Sequence, residues 1–233
     1  MKLTSKSGFT LAEVFSTHFD GGRKNAFTLA EVLITLGIIG VVAAMTMPTL
    51  MNQTNGAKFR TAYKKALSAI SQAVTLNVAL EEWNFADATE TATNSEMSIY
   101  SMLKKRMNVV REETVAITGY NVALRSSDIA LKTPEPIGAG NYTLFFNDGI
   151  MLTFKQEKKE CTMDETRGGS RAKACEGFID VNGIKPPNKE VKCDSGSGST
   201  CAVKNPTDVY PVLFFDQTII PNSPAARAVL YSK

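Results

Sequence analysis

Histidine is almost missing from this chain: His18 is the only one in 233 residues. The commonest general base is therefore scarce, and so are the Ser–His and Cys–His pairs of nucleophilic enzymes. No Cys-x-x-Cys pair occurs, which argues against a tetrahedral zinc site. A glycine-rich phosphate loop and a nucleophile elbow are also lacking. The net charge of +3 is too small to argue for nucleic-acid binding. The most telling absence is charge itself, since no ionisable residue stands between Val32 and Ala57. A stretch of that length reads as a membrane-spanning helix, because about 20 apolar residues cross a bilayer. Glu31 stands at its outer edge. Moving a carboxylate toward the bilayer centre costs roughly 2.5–3.5 kcal/mol on insertion scales, so an acid there points to function.

Around Glu31 the sequence reads Arg23-Lys24-Asn25-Ala26-Phe27-Thr28-Leu29-Ala30-Glu31-Val32-Leu33-Ile34. This segment resembles the processing and methylation motif of type IV prepilins and type II secretion pseudopilins. The match is close over about residues 23–53 and looser over the helix beyond. The resemblance implies a cut between Ala26 and Phe27 by a prepilin peptidase, N-methylation of Phe27, and assembly of the stem into a helical filament. Gly40 and Pro48 fall where such stems are often loosened or kinked, as does Gly37. One departure is Ala26, where the family usually has Gly; both are small enough for a tight peptidase site.

The motif has an earlier echo, Gly8-Phe9-Thr10-Leu11-Ala12-Glu13-Val14. The residues after that copy, Phe15 to Lys24, are polar, turn-like and charged, and do not insert in a bilayer as a helix. The first copy reads either as a leader segment that engages the peptidase weakly or as a duplication without a role. Residues 1–26 are accordingly expected to be leader, 27–53 a transmembrane and filament-core helix, and 54–233 a pilin-like globular domain. Basic residues flank the span on both sides, so the positive-inside rule votes weakly. The motif implies a single pass through the cytoplasmic (inner) membrane, N-terminus cytoplasmic, with the C-terminal domain periplasmic or extracellular.

Beyond Lys58, apolar residues recur at three- and four-residue steps: Phe59, Ala62, Tyr63, Ala66, Leu67, Ile70, Ala73, Val74, Asn77 and Val78. That spacing predicts one buried stripe on a helix that continues to about residue 83. Pro48 is expected to bend or locally melt it. A polar loop over 87–94 and a second amphipathic helix over about 95–110 should come next. Strands are predicted at 142–146 and 150–154 around an Asp-Gly turn, then at 178–181 and 212–215. Helices first and antiparallel strands afterwards make an α+β fold, a long stem helix laid on a small sheet.

Cys161, Cys175, Cys193 and Cys201 all fall in the C-terminal third. An even number in a domain expected outside the cytoplasm suggests two disulfides. Neighbour pairing closes two short loops and is preferred here, with the other two connectivities still open. The segment 180–189 sets Asp180, Asn182 and Asn188 around Gly183 and Pro186-Pro187. It reads as an Asx turn with a rigid exit, or as oxygen ligands for calcium; a similar segment lies near the C-terminus of many pseudopilin-like proteins. Calcium is the only cofactor suggested. Basic residues Lys104, Lys105, Arg106, Arg111, Lys155, Lys158 and Lys159 are interleaved with Glu112, Glu113, Glu157 and Glu160, so they read as a solvated face and no nucleic-acid partner is expected.

The resemblance therefore implies a non-enzymatic structural subunit of a type IV pilus-like or type II secretion pseudopilus filament, with Glu31 setting register. Its partners would be the prepilin peptidase/methyltransferase, copies of itself or other pilin-like subunits, an inner-membrane assembly platform and membrane lipid. Two alternatives are a minor tip subunit that binds a surface, DNA or secreted substrate, and an anchored exported domain that never polymerises.

Overall fold

A computed structural model describes residues 27–88, 96–113, 141–155, 161–163 and 174–232. Residues 1–26, the expected leader with its duplicated segment and Ala26, and the lysines Lys158 and Lys159, lie outside the described residues. The chain divides into two compact units, Met1–Met47 and Pro48–Lys233. The architecture is α+β, a long N-terminal helix and a six-stranded antiparallel sheet.

Helix α1 spans Leu29–Glu81 and contains Pro48. The expected local melting at Pro48 does not occur: the helix runs through Gly40 and Pro48 without a break. A proline removes one backbone donor and leaves the neighbouring hydrogen bonds to hold the turn. In the first unit, Ile34, Ile38, Val41 and Met45 are all exposed. In the second, Tyr63, Ala66, Leu67, Ile70, Ala73 and Val74 are buried, which is the predicted stripe. Glu82 takes a positive φ of 59° and ends the helix, while the Asn77 side chain reaches forward to donate to the Trp83 carbonyl at 2.9 Å. A 3-10 turn at Phe85–Asp87 comes next, capped by Asn84. Its Phe85 exchanges backbone bonds with Asp216 and Cys161.

Helix α2 is Ile99–Arg106, shorter than the helix expected over 95–110. Ser98 caps its start and Met107 closes its last turn in extended geometry. The two β-branched residues just beyond, Val109 and Val110, enter a strand instead: β1, Val109–Glu113. The strands β2 (Asn141–Phe146) and β3 (Met151–Lys155) form the hairpin expected at the Asp-Gly turn. Gly149 has φ 85° there, and Ile150 donates to the Asp148 carboxylate. Strand β4 (Cys175–Asp180) begins before the expected 178, and β5 (Val209–Phe215) before the expected 212. β6 (Thr218–Pro221) and helix α3 (Pro224–Tyr231) add to the expected elements. The strand order is β1-β2-β3-β4-β5-β6, a meander with every pair antiparallel.

One core joins the helix stripe to the sheet and to α2 and α3. It includes Tyr63, Ile70 and Val74 from α1, Met102 and Leu103 from α2, Leu152 and Phe214 from the strands, and Val229 from α3. Tyr63 stacks on Tyr210 with ring centroids 3.9 Å apart. Gly177 lies on β4 between β3 and β5. A Cβ there would lie 2.6 Å from the Thr153 carbonyl oxygen and 2.8 Å from the Phe214 ring, so no side chain fits.

Candidate functional site

The first described turn is a reciprocal cap. The Thr28 N–H donates to Glu31 Oε2 at 2.8 Å and the Thr28 hydroxyl to the same oxygen at 2.9 Å. In return the Glu31 N–H donates to Thr28 Oγ1 at 3.2 Å. This is a capping box, in which a Thr and a Glu three residues apart satisfy each other's orphan donors at a helix start. The sequence reading missed it, although Thr-x-x-Glu before an apolar run is its signature. Glu31 is thus held at the helix entrance beside the Phe27 position, and Phe27 itself is 85% exposed. Farther along, the Thr35 hydroxyl donates to the Val32 carbonyl and Thr46 to Val42. Each hydroxyl is satisfied within its own helix, as hydrocarbon surroundings require. The apolar part of α1 is the one helix among the described residues long and apolar enough to cross a membrane.

Cys161 is bonded to Cys175 and Cys193 to Cys201, the neighbour pairing out of three possible ones. The first bridge lies buried beside the core; the second closes the loop that carries Ser195 to Thr200.

The segment 180–189 is a hydrogen-bonded turn. Asp180 Oδ1 accepts the Asn182 N–H at 3.1 Å, an Asx turn. Asn182 Nδ2 donates to the Pro186 carbonyl and Asn188 Nδ2 to the Ile184 carbonyl, both at 3.2 Å. Asp208, unremarked in the sequence, is fully buried and accepts the N–H groups of Asn188 at 2.8 Å and Lys189 at 2.9 Å. The Oδ1 atoms of Asn182 and Asn188 are buried without a hydrogen-bond partner. These two neutral oxygens suit a hard cation. Charge for one is scant, since no cluster of three or more His, Cys, Asp or Glu exists among the described residues.

The basic cluster after α1 is paired within the chain. Arg106 and Lys105 reach the Glu81 carboxylate at 2.7 and 3.3 Å, and Arg111 reaches Glu113 at 2.7 Å. Lys104 lies 3.0 Å from Glu112, which also accepts the Tyr100 hydroxyl. The Tyr100 hydrogen bond, then Lys104, hold the Glu112 carboxyl below its ordinary range. The Trp83 indole, then Lys105 and Arg106, do the same for Glu81. Phosphate groups would therefore compete with carboxylates already in place. At the helix–sheet contact, burial pushes the Tyr63 and Tyr210 phenols well above the ordinary tyrosine range. Both hydroxyls are buried without a partner.

Against known proteins, residues 22–47 match the model for the prokaryotic N-terminal methylation motif, the prepilin-type cleavage and methylation signal. The match falls on the second of the two copies. No curated protein and no solved structure matched the chain. The motif indicates a type IV pilin- or pseudopilin-like precursor and implies processing by a prepilin peptidase and pilin-like assembly. That motif and the single apolar N-terminal helix point to membrane anchoring.

Proposed function

From a prepilin-type precursor with this stem, we propose that the mature chain is a structural subunit of a type IV pilus-like or type II secretion pseudopilus filament, with no enzymatic role. The observation that carries the reading is the pairing of a methylation motif with an apolar helical stretch whose large side chains are exposed. Such a surface needs lipid before assembly and other stems after it. The peptidase cuts between Ala26 and Phe27 and the new Phe27 amine is methylated. The N-terminus stays cytoplasmic and the sheet domain lies across the inner membrane. Other copies or related pilin-like subunits, and the assembly platform, are its partners.

Glu31 sets axial register by pairing with the Phe27 amine of a neighbouring subunit. A slip by one subunit leaves both charges unmatched among apolar stems, which is costly. Before assembly the capping box with Thr28 supports that role, because it supplies the carboxylate with donors while no partner amine is present. Gly40 and Pro48 are the positions at which the stem would adapt during packing.

The deciding experiment is N-terminal sequencing and mass measurement of the protein recovered from membranes of cells that contain a prepilin peptidase. The expected chain starts at Phe27 and is heavier by one methyl group. A start at Phe9, or an uncut chain, would overturn the assignment. Crosslinking and copy number then separate the filament subunit from its rivals, since a tip subunit is scarce and a non-polymerising domain does not crosslink to itself.

Calcium at Asp180, Asn182 and Asn188 is a separate proposal supported by the two unpartnered amide oxygens. Its binding should raise the thermal midpoint of the protein, and an unchanged midpoint ends the idea.

A further inference from the structure

Some described cations of the second unit meet a carboxylate and others do not, Lys58 and Lys185 among the latter. Lys65, Lys104, Lys105, Arg106 and Arg111 all reach a carboxylate. Lys58 and Lys185 reach none among the described residues, yet both line the same cleft of about 740 Å³. The cleft also contains Thr207, whose buried hydroxyl oxygen has no hydrogen-bond partner. The nearest carboxylate in sequence, Asp208, is taken up by the backbone N–H groups of Asn188 and Lys189. Beside Lys185 the loop presents an exposed Ile184 and the exposed pair Pro186-Pro187.

Chain connectivity limits how far this cleft can lie from a bilayer crossed by the apolar run. Lys58 is the first charged residue after Glu31. If Val32 to Met51 fill the hydrocarbon, about 20 residues do so, and seven more helical residues carry the chain roughly 10 Å beyond it. The polar zone of a leaflet is about 5–7 Å deep, and a lysine side chain extends its ammonium back toward it. The chain therefore tethers residues 55–59, which contribute to the lining of this cleft, within reach of the headgroups. Two unpaired cations and an unpartnered hydroxyl meet there, next to an apolar loop tip.

We propose that this cleft is a docking site for an anionic phospholipid headgroup of the leaflet from which α1 emerges. Lys58 and Lys185 flank the phosphate, the Thr207 hydroxyl donates to it, and Ile184 rests at the acyl boundary. The site would anchor the sheet domain to the bilayer surface while the subunit waits for assembly. The proposal rests on the membrane-anchored reading of the stem.

The full chain is reconstituted in nanodiscs of phosphatidylcholine alone or mixed with phosphatidylglycerol, in EDTA so that no cation bridge contributes. Lipid retained after transfer to detergent is measured by native mass spectrometry, with hydrogen exchange of residues 182–187 in the discs alongside. Wild type should retain phosphatidylglycerol preferentially and protect the loop in the mixed discs. Lys58→Gln/Lys185→Gln should lower that retention roughly 30-fold, the effect of two cations at an anionic surface. Equal retention of the two lipids by wild type would overturn the site, a result that does not depend on how the variant folds. Retention by the variant equal to wild type would overturn it too. Displacement by millimolar inorganic phosphate would assign the cleft to a soluble anion instead. A chain that joins the discs without lipid preference loses the headgroup site and keeps its stem; one that does not join them loses both.

Discussion

The two halves of α1 have the same kind of apolar residue and opposite fates. Ile34, Ile38, Val41 and Met45 are exposed, whereas Tyr63, Ile70 and Val74 are sealed under the sheet. Hydrophobicity alone does not decide burial; the partner surface does. The second half has charged and polar residues on its remaining faces, so one stripe is left to bury. The first half is apolar all round and its large side chains are exposed among the described residues. A helix of that kind needs lipid or other helices around it.

Substitution within the two halves should break the symmetry most visibly. Ile70→Ala removes buried methyl groups from a filled core and should destabilise the second unit by about 2–5 kcal/mol. Ile38→Ala, an exposed position, should leave the same thermal unfolding transition within about 0.5 kcal/mol. Equal effects in a detergent-solubilised melt would mean the halves do not differ as described. On the filament reading, filament yield should reverse the order, since that reading puts Ile38 on the assembly surface and Ile70 inside the sheet domain. Glu31→Ala sharpens the same contrast: processing should persist at least in part while filaments disappear, and normal filaments would end the register role.

The disulfides come next. Losing the Cys161–Cys175 bridge, which closes a loop of 14 residues, should lower stability by about 3 kcal/mol, and the Cys193–Cys201 loop of 8 somewhat less. Midpoints of Cys161→Ser/Cys175→Ser and Cys193→Ser/Cys201→Ser proteins test that ranking. Reversal would show that the second loop is the more deeply structural.

The smallest effect is on pH. Glu81 and Glu112 are held below their ordinary range in the folded chain, so their contribution is present above the unfolded value, about 4.3, and is lost as pH falls through the folded values. Glu81→Gln should flatten the acid side of a midpoint-against-pH curve. Tyr63 and Tyr210 act at the other end. Their raised folded values mean that the unfolded chain loses protons first above about pH 10, so stability declines from there upward. Tyr210→Phe should reduce that alkaline slope.

Reading the elements one by one shows what local chemistry could reveal. The α1 stripe, the hairpin at Asp148-Gly149 and the cores of β4 and β5 were legible, because periodicity and turn residues are local signals. β1 was hidden in an apparent helix, since Val109-Val110 continues a helical apolar spacing until pairing with β2 draws it into the sheet. β6 comes after a turn at Asp216-Gln217, which lacks the Asn-Gly or Asp-Gly pattern of a tight hairpin, although Asp216 adopts the positive φ such turns require. The capping box was readable from Thr28 and Glu31 alone. The part played by Asp208 was not, because its two backbone partners stand 19 and 20 residues earlier.

The sequence by itself determined that a charge-free apolar run succeeds a cleavage and methylation motif, and that one stripe of the continuing helix must be buried. Both depend only on residue type and spacing within a few turns. Tertiary structure decided how the cysteines pair, which lysines meet carboxylates, and that Lys58, Lys185 and Thr207 line one cleft. Those are relations between residues far apart in the chain, set by strand register and by how the helix beds on the sheet.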